Sequence, residues 1–245
     1  AQTSDMPAIR KAAEAGYEAS VKRIQDWIAL PSIAAENRDM DKGCDYMMAL
    51  ARDAGFQQVE KVPTDGAPGV FGVLDVGAKR WLAVYFMYDV KQYDPAEWSS
   101  PPLEARIVDK PGFGKVIVGR GAVNQKGPQA TFLAALHAIR AAGKTPPVNL
   151  VLVCEGEEEI GSASMEVIIA EHKDELAADV IVVADSVNWE QGVPSVTTTL
   201  RGVVDCIVEV STLDHALHSG QFGGIVPDAL TTLCRLIATL HDGTG

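Results

Sequence analysis

The sequence predicts an α/β domain built on a mixed, largely parallel sheet flanked by helices, followed by the start of an α+β subdomain. Three observations carry this. Short runs rich in Val, Leu and aromatics alternate with stretches of helical periodicity, the pattern of strand and crossover helix. The most apolar runs, residues 81–87 and 148–154, each lead into acidic residues, which puts polar chemistry at strand ends. After Asp185 the segments change to an exposed alternation.

Residues 6–30 place Ile9, Ala13, Tyr17, Val21, Ile24 and Ile28 at helical spacing, and Pro31 stops the pattern, so one long amphipathic helix is predicted. A second helix runs over 41–54 and ends at Gly55. Strands are predicted at 56–61, 70–76, 81–87, 149–154 and 180–184. A helix over 128–142 sets Phe132, Leu133, Leu136 and Ile139 on one face with Gly143 behind it, and another spans 162–172. Beyond Asp185, 195–199 and 204–210 read as strands. Residues 227–242 read as a helix with Leu230, Leu233, Ile237 and Leu240 at helical intervals. The division is an α/β domain over 1–199 and the start of a second subdomain over 200–245. With too few strands to close a sheet around its helix, the chain reads as the N-terminal part of something larger.

At 245 residues, 47% hydrophobic and 22% charged, the chain is long and apolar enough for a packed core. A formal charge of -12 with no Lys/Arg cluster argues against nucleic acid and anionic membrane as partners. The apolar runs are strand-length, far short of the ~20 residues that cross a bilayer. Cys44, Cys154, Cys206 and Cys234 show no Cys-x-x-Cys pairing and read as free thiols. The start Ala1-Gln2-Thr3-Ser4-Asp5 suits a mature end left by signal removal, although a trimmed recombinant start looks the same. A periplasmic or secreted location is expected, otherwise a cytoplasmic one.

The chemistry-bearing residues cluster after strands. Asp89 follows the strand 81–87 and is placed to face a cleft, or else to serve a turn or cap. Met87, continuing an apolar strand, is core filling by residue type. Gly119, Gly121 and Gly127 frame Asn124 ahead of a helix, where glycine lets the backbone turn and approach a ligand. Glu155, Glu157, Glu158 and Glu159 crowd the end of the strand 149–154, and such like charge is costly unless a cation or proton relieves it. Asp185 repeats the pattern one strand later.

These motifs together resemble the zinc-dependent exopeptidases of peptidase family M-twenty, which includes dipeptidases, carboxypeptidases, aminoacylases and desuccinylases. The resemblance runs through Ile28-Ala-Leu-Pro-Ser32, the loop Asp94-Pro95 to Pro102, Gly119-Arg-Gly121 with Lys126-Gly127, Glu158-Glu-Ile-Gly-Ser162, Leu200-Arg-Gly202 and His218-Ser-Gly220. It implies that Glu158 is the general base that activates water, that Glu159 and Asp185 are ligands of the two metals, and that Asp89 orients a strand-end histidine. It also implies that His218 is a substrate contact from a lid subdomain that dimerises. Against that pattern Met87 stands at the first histidine position and Asn124 at the bridging aspartate. The second histidine ligand is expected beyond Gly245, and none of His137, His172, His215, His218 and His241 lies upstream to replace the first.

Zinc is the cofactor that the resemblance implies, and the two substitutions lower the expectation to one metal or none. The expected activity is hydrolysis of a dipeptide, N-acyl amino acid or related small amide, with Glu158 as base and altered or reduced metal dependence. Asn124 is then a substrate contact able to donate a hydrogen bond to a developing oxyanion. The expected partners are a peptide or amino-acid-derived substrate and a second copy of the chain. The alternative is a catalytically silent protein that binds peptides or amino-acid conjugates.

Overall fold

The computed structural model describes residues 5–186 and 188–244. Ala1 to Ser4, on which the reading of the chain start rests, lie outside the described residues. The chain divides into two compact units, Ala1–Val196 and Thr197–Gly245.

The first unit opens with α1 (Met6–Ala15) and α2 (Tyr17–Ala29), so the single predicted helix is interrupted at Gly16. Glycine has the weakest helix preference after proline, which accounts for the position of the break. Trp27 and Ile28 of α2 are buried, and the helix ends ahead of Pro31 as expected. Next is α3 (Met40–Ala54), stopped by Gly55 at φ 111°, a left-handed conformation that glycine adopts without a Cβ penalty. Then follow β1 (Gln58–Val62), β2 (Gly69–Leu74) and β3 (Trp81–Met87). A hairpin of β4 (Arg106–Lys110) and β5 (Gly114–Val118) comes next, and the sequence reading did not include it. Its signal was present, two short Ile/Val alternations around Pro111-Gly112, but the flanking Lys, Asp and Arg made it resemble a polar loop. The unit continues with α4 (Lys126–Ala141), β6 (Asn149–Glu155), α5 (Met165–Glu171) and β7 (Val180–Val183).

The five-stranded sheet has the order β1-β2-β6-β3-β7. It is mixed: β1 with β2 and β2 with β6 are antiparallel, while β6 with β3 and β3 with β7 are parallel. Every residue of β6 is buried, because the two-residue period of a strand sends its side chains into separate cores on the two faces. Leu150, Leu152 and Cys154 pack with Trp27, Met47, Leu133 and Leu136. Val151 and Val153 pack with Val62, Phe71 and Ile168 on the other side. Because β3 and β6 run parallel with Met87 opposite Glu155, both strands discharge their polar residues at the same edge.

The second unit holds α6 (Ser219–Phe222) and α7 (Ala229–Ala238). The α7 start is capped by Asp228, whose Oδ1 accepts from the Thr231 N–H at 2.7 Å. The strands predicted at 195–199 and 204–210 are absent: no described residue there is in a strand. A strand exists only where another backbone satisfies its N–H and C=O groups, and among the described residues of this unit none forms a neighbouring strand.

The contrast between the central strand and the sheet edge gives an expected outcome. Leu152→Ala is expected to cost about 2–5 kcal/mol in urea unfolding, since it opens a cavity in a filled core. Val182→Ala in the exposed β7 is expected to cost less than about 1 kcal/mol.

Candidate functional site

The turn after β3 is fixed by backbone bonds on three sides. Tyr88 donates its N–H to Glu155 O at 2.9 Å, and Val90 donates to Ser32 O at 3.0 Å. Ser32 Oγ donates back to Tyr88 O at 2.6 Å. The Tyr88 hydroxyl donates to Pro68 O at 2.6 Å and lies over Gly156, where a Cβ would come within 2.3 Å of the Tyr88 hydroxyl oxygen. Asp89 is thereby held at 1% exposure, its Oδ2 accepting the Glu159 N–H at 3.0 Å. Burial pushes its carboxyl up to about 7, against the lowering effect of that N–H and with the charges of Glu159 and Glu155 adding to the rise.

The glycine-framed loop supplies the facing wall. Gly121 takes φ 88°, and a Cβ on Gly127 would lie 2.0 Å from Ala122 O, so neither position tolerates a side chain. Beneath the loop Lys126 is buried, its Nζ donating to Trp27 O at 3.0 Å and Leu30 O at 2.7 Å at the C-terminal end of α2. Burial pushes this ammonium down to about 7, partly offset by Asp89. Lys126 therefore ties the loop to the helix while Asn124 and Gln125, joined by a cis peptide bond, face the acidic strand ends. Asn124 Nδ2 donates to Glu159 Oε1 at 2.7 Å, and Gln125 Nε2 donates to Asp185 Oδ1.

The acidic run resolves into two kinds of carboxylate. Glu155 is buried, accepting from the Tyr85 hydroxyl at 2.6 Å and Ser162 Oγ at 2.8 Å. Glu157 is also buried, accepting from Ala67 N at 3.0 Å and from Ser164 Oγ. Hydroxyls and a backbone N–H stabilise these two, while Glu155 Oε2 is buried without a hydrogen-bond partner among the described residues. Glu158 is half-buried, and the Glu159 side chain is 6% exposed. Glu159 Oε2 pairs with Lys91 Nζ at 3.1 Å. The Glu158 carboxylate makes no hydrogen bond or ion pair with a described residue. Its proton affinity is raised by burial first, then by the charges of Glu159, Asp185 and Glu155, with Lys91 opposing.

Asp89, Asn124, Glu158, Glu159 and Asp185 thus belong to one edge of the sheet, and Met87 lies buried just behind it, opposite Glu155. His218 belongs to the second unit, where its Nδ1 accepts the Gly220 N–H at 3.1 Å and caps α6. The sequence reading missed Lys91 and Gln125. Gln125 adjoins Asn124 in the same loop and Lys91 lies in the turn after Asp89, but only a partner in space distinguishes them from ordinary surface polar residues.

A family model described as peptidase family M20/M25/M40 matches residues 85–234. The chain belongs to that family. It is 30% identical over 245 residues to a human Beta-Ala-His dipeptidase, covering 92% of this chain and 47% of the relative. It is 32% identical over 208 residues to a cysteinylglycine-S-conjugate dipeptidase of Corynebacterium striatum, covering 84% and 44%. A solved M20 family metallo-carboxypeptidase from Sulfolobus solfataricus superimposes with a TM-score of 0.73 at 28% identity, covering 92% of this chain and 50% of that one. The chain spans about half the length of the curated relatives it matches.

Relatives described as metallopeptidases raise the question of whether these residues suit a metal pair. Zinc is held by Cys, His, Asp and Glu. Here a buried thioether stands at the end of β3, a neutral amide stands in the loop that reaches Glu159, and the Glu159 and Asp185 carboxylates already accept from side chains. No group of three or more such ligands is arranged for a metal among the described residues. This donor set does not fit a two-zinc centre.

Restoring the missing donors gives a direct check. Met87→His with Asn124→Asp is expected to raise zinc affinity at least about 10-fold by calorimetric titration. An unchanged affinity would show that the two positions do not line the site.

Proposed function

We propose that the chain carries the substrate-cleaving half of a site for short amides, acting on a dipeptide, an N-acyl amino acid or a related small amide, with Glu158 as general base. The observation that supports this most is the contrast among the four glutamates. Glu155, Glu157 and Glu159 accept from neighbours, whereas the half-buried Glu158 carboxylate accepts from no described residue and has raised proton affinity. A general base needs that combination, free geometry together with a pKa moved toward the working pH. The dipeptidases among the relatives point to the same substrate class.

In this reading Glu158 takes a proton from a water molecule as its oxygen attacks the amide carbon, then delivers that proton to the departing nitrogen. Asp89 fixes the Glu159 backbone beside it, and metal dependence is altered or reduced, to one ion or none. Asn124 and His218 contact the substrate, His218 from a lid portion over 200–245 through which two chains pair. A monomer in sedimentation velocity at micromolar concentration would remove the dimer from this proposal. A second reading, peptide binding without turnover, is favoured by the engagement of Glu159 with Asn124 and Lys91.

Glu158→Gln preserves shape and removes the base. Across a panel of dipeptides and N-acyl amino acids it is expected to lower kcat by about 10² to 10⁴-fold or more. Turnover unchanged by the substitution would reject the role of Glu158. Undetectable turnover in the unaltered protein, with a panel member still bound, would select the binding reading.

A further inference from the structure

Two carboxylates at the strand ends, Glu159 and Asp185, accept from donors within the chain. Glu159 Oε1 accepts from Asn124 Nδ2 at 2.7 Å, and its Oε2 pairs with Lys91 Nζ at 3.1 Å. Asp185 Oδ1 accepts from Gln125 Nε2. Each oxygen of Glu159 therefore has a donor, and its side chain is only 6% exposed, so a metal ion reaching it competes with an amide and an ammonium for the same carboxylate. Neither donor is a ligand, since an amide NH2 and an ammonium offer no lone pair to a cation.

We infer that Lys91, Asn124 and Gln125 form a tethered substitute for a bound cation, holding Glu159 and Asp185 in place and excluding divalent metal from them. The three contribute differently. Asn124 and Gln125 belong to a loop whose glycines and buried Lys126 fix its path, so their amides are positioned by the backbone. Lys91 is 63% exposed and its pairing alone is weak, but it adds a positive charge that repels an incoming divalent ion. The amides set the geometry and the ammonium supplies the charge. This inference deepens the proposed function, since it rests on the same cluster being the functional site.

The test reads metal binding instead of turnover, so it can fail independently of the Glu158 mechanism. Zinc affinity of the full-length protein is measured by competition with a chromophoric chelator, and thermal unfolding is followed with added zinc and with chelator. The unaltered protein is expected to show no shift in Tm under either condition. Lys91→Ala should bind zinc about tenfold more tightly, and Lys91→Arg, which keeps the charge, should behave as the unaltered protein does. Tight zinc binding by the unaltered protein, or a fall in its Tm with chelator, would overturn the inference, and this measurement needs no variant to fold. Equal zinc affinity for Lys91→Ala and Lys91→Arg would remove Lys91 from the device. A failed Glu158→Gln experiment beside an inert response to zinc would discard the catalytic reading and leave this one standing.

Discussion

The parallel pairing of β3 with β6 is the constraint on which the rest of this structure depends. It sets Met87 opposite Glu155 and sends both chains out of the sheet at one edge, next to the end of β7. The register is held by burial, because β6 alternates its side chains into two cores and a slip of one residue would exchange the faces. Leu150, Leu152 and Cys154 then could not meet Trp27 and Leu133, nor could Val151 and Val153 meet Ile168. Packing far from the cleft thus determines which polar residues face one another inside it.

That register creates an electrostatic problem, with Asp89, Glu155, Glu157, Glu158, Glu159 and Asp185 close to one sheet edge. The chain resolves it in graded steps. The deepest acids use hydroxyls and backbone N–H groups, leaving Asp89 Oδ1 and Glu155 Oε2 buried without a hydrogen-bond partner among the described residues. Glu159 and Asp185 use side-chain amides and Lys91. Glu158 is left outside both arrangements, and the uncompensated charge around it raises its affinity for a proton. A carboxylate in that state is suited to proton transfer or to holding a cationic ligand group.

Much of this was legible from the linear order of residues. The five strands of the main sheet carry enough Val, Leu and aromatic residues to declare themselves, and the helices over 40–54 and 126–141 follow from periodicity and a closing glycine. That acids gather at the ends of strands 81–87 and 149–155 was legible, because each apolar run leads directly into acidic residues. What went unread had a physical reason each time. Gly16 breaks a periodic pattern without changing it, and the β4–β5 hairpin hides in polar composition. The alternation at 195–199 and 204–210 suggested strands, but alternation is a property of one segment and pairing a property of two.

The boundary between pattern and fold runs through the site itself. Residue types in order were sufficient for the α/β class and for the gathering of Glu158, Glu159 and Asp185 at neighbouring strand ends. Which donor meets which acid was decided only by folding. Lys91 and Glu159 are far apart in sequence and meet because two parallel strands end together, and Gln125 reaches Asp185 because a glycine-framed loop crosses the same edge. Local sequence specifies a residue's chemistry and backbone preference, whereas the partner that satisfies its charge comes from the register of strands joined through a shared core.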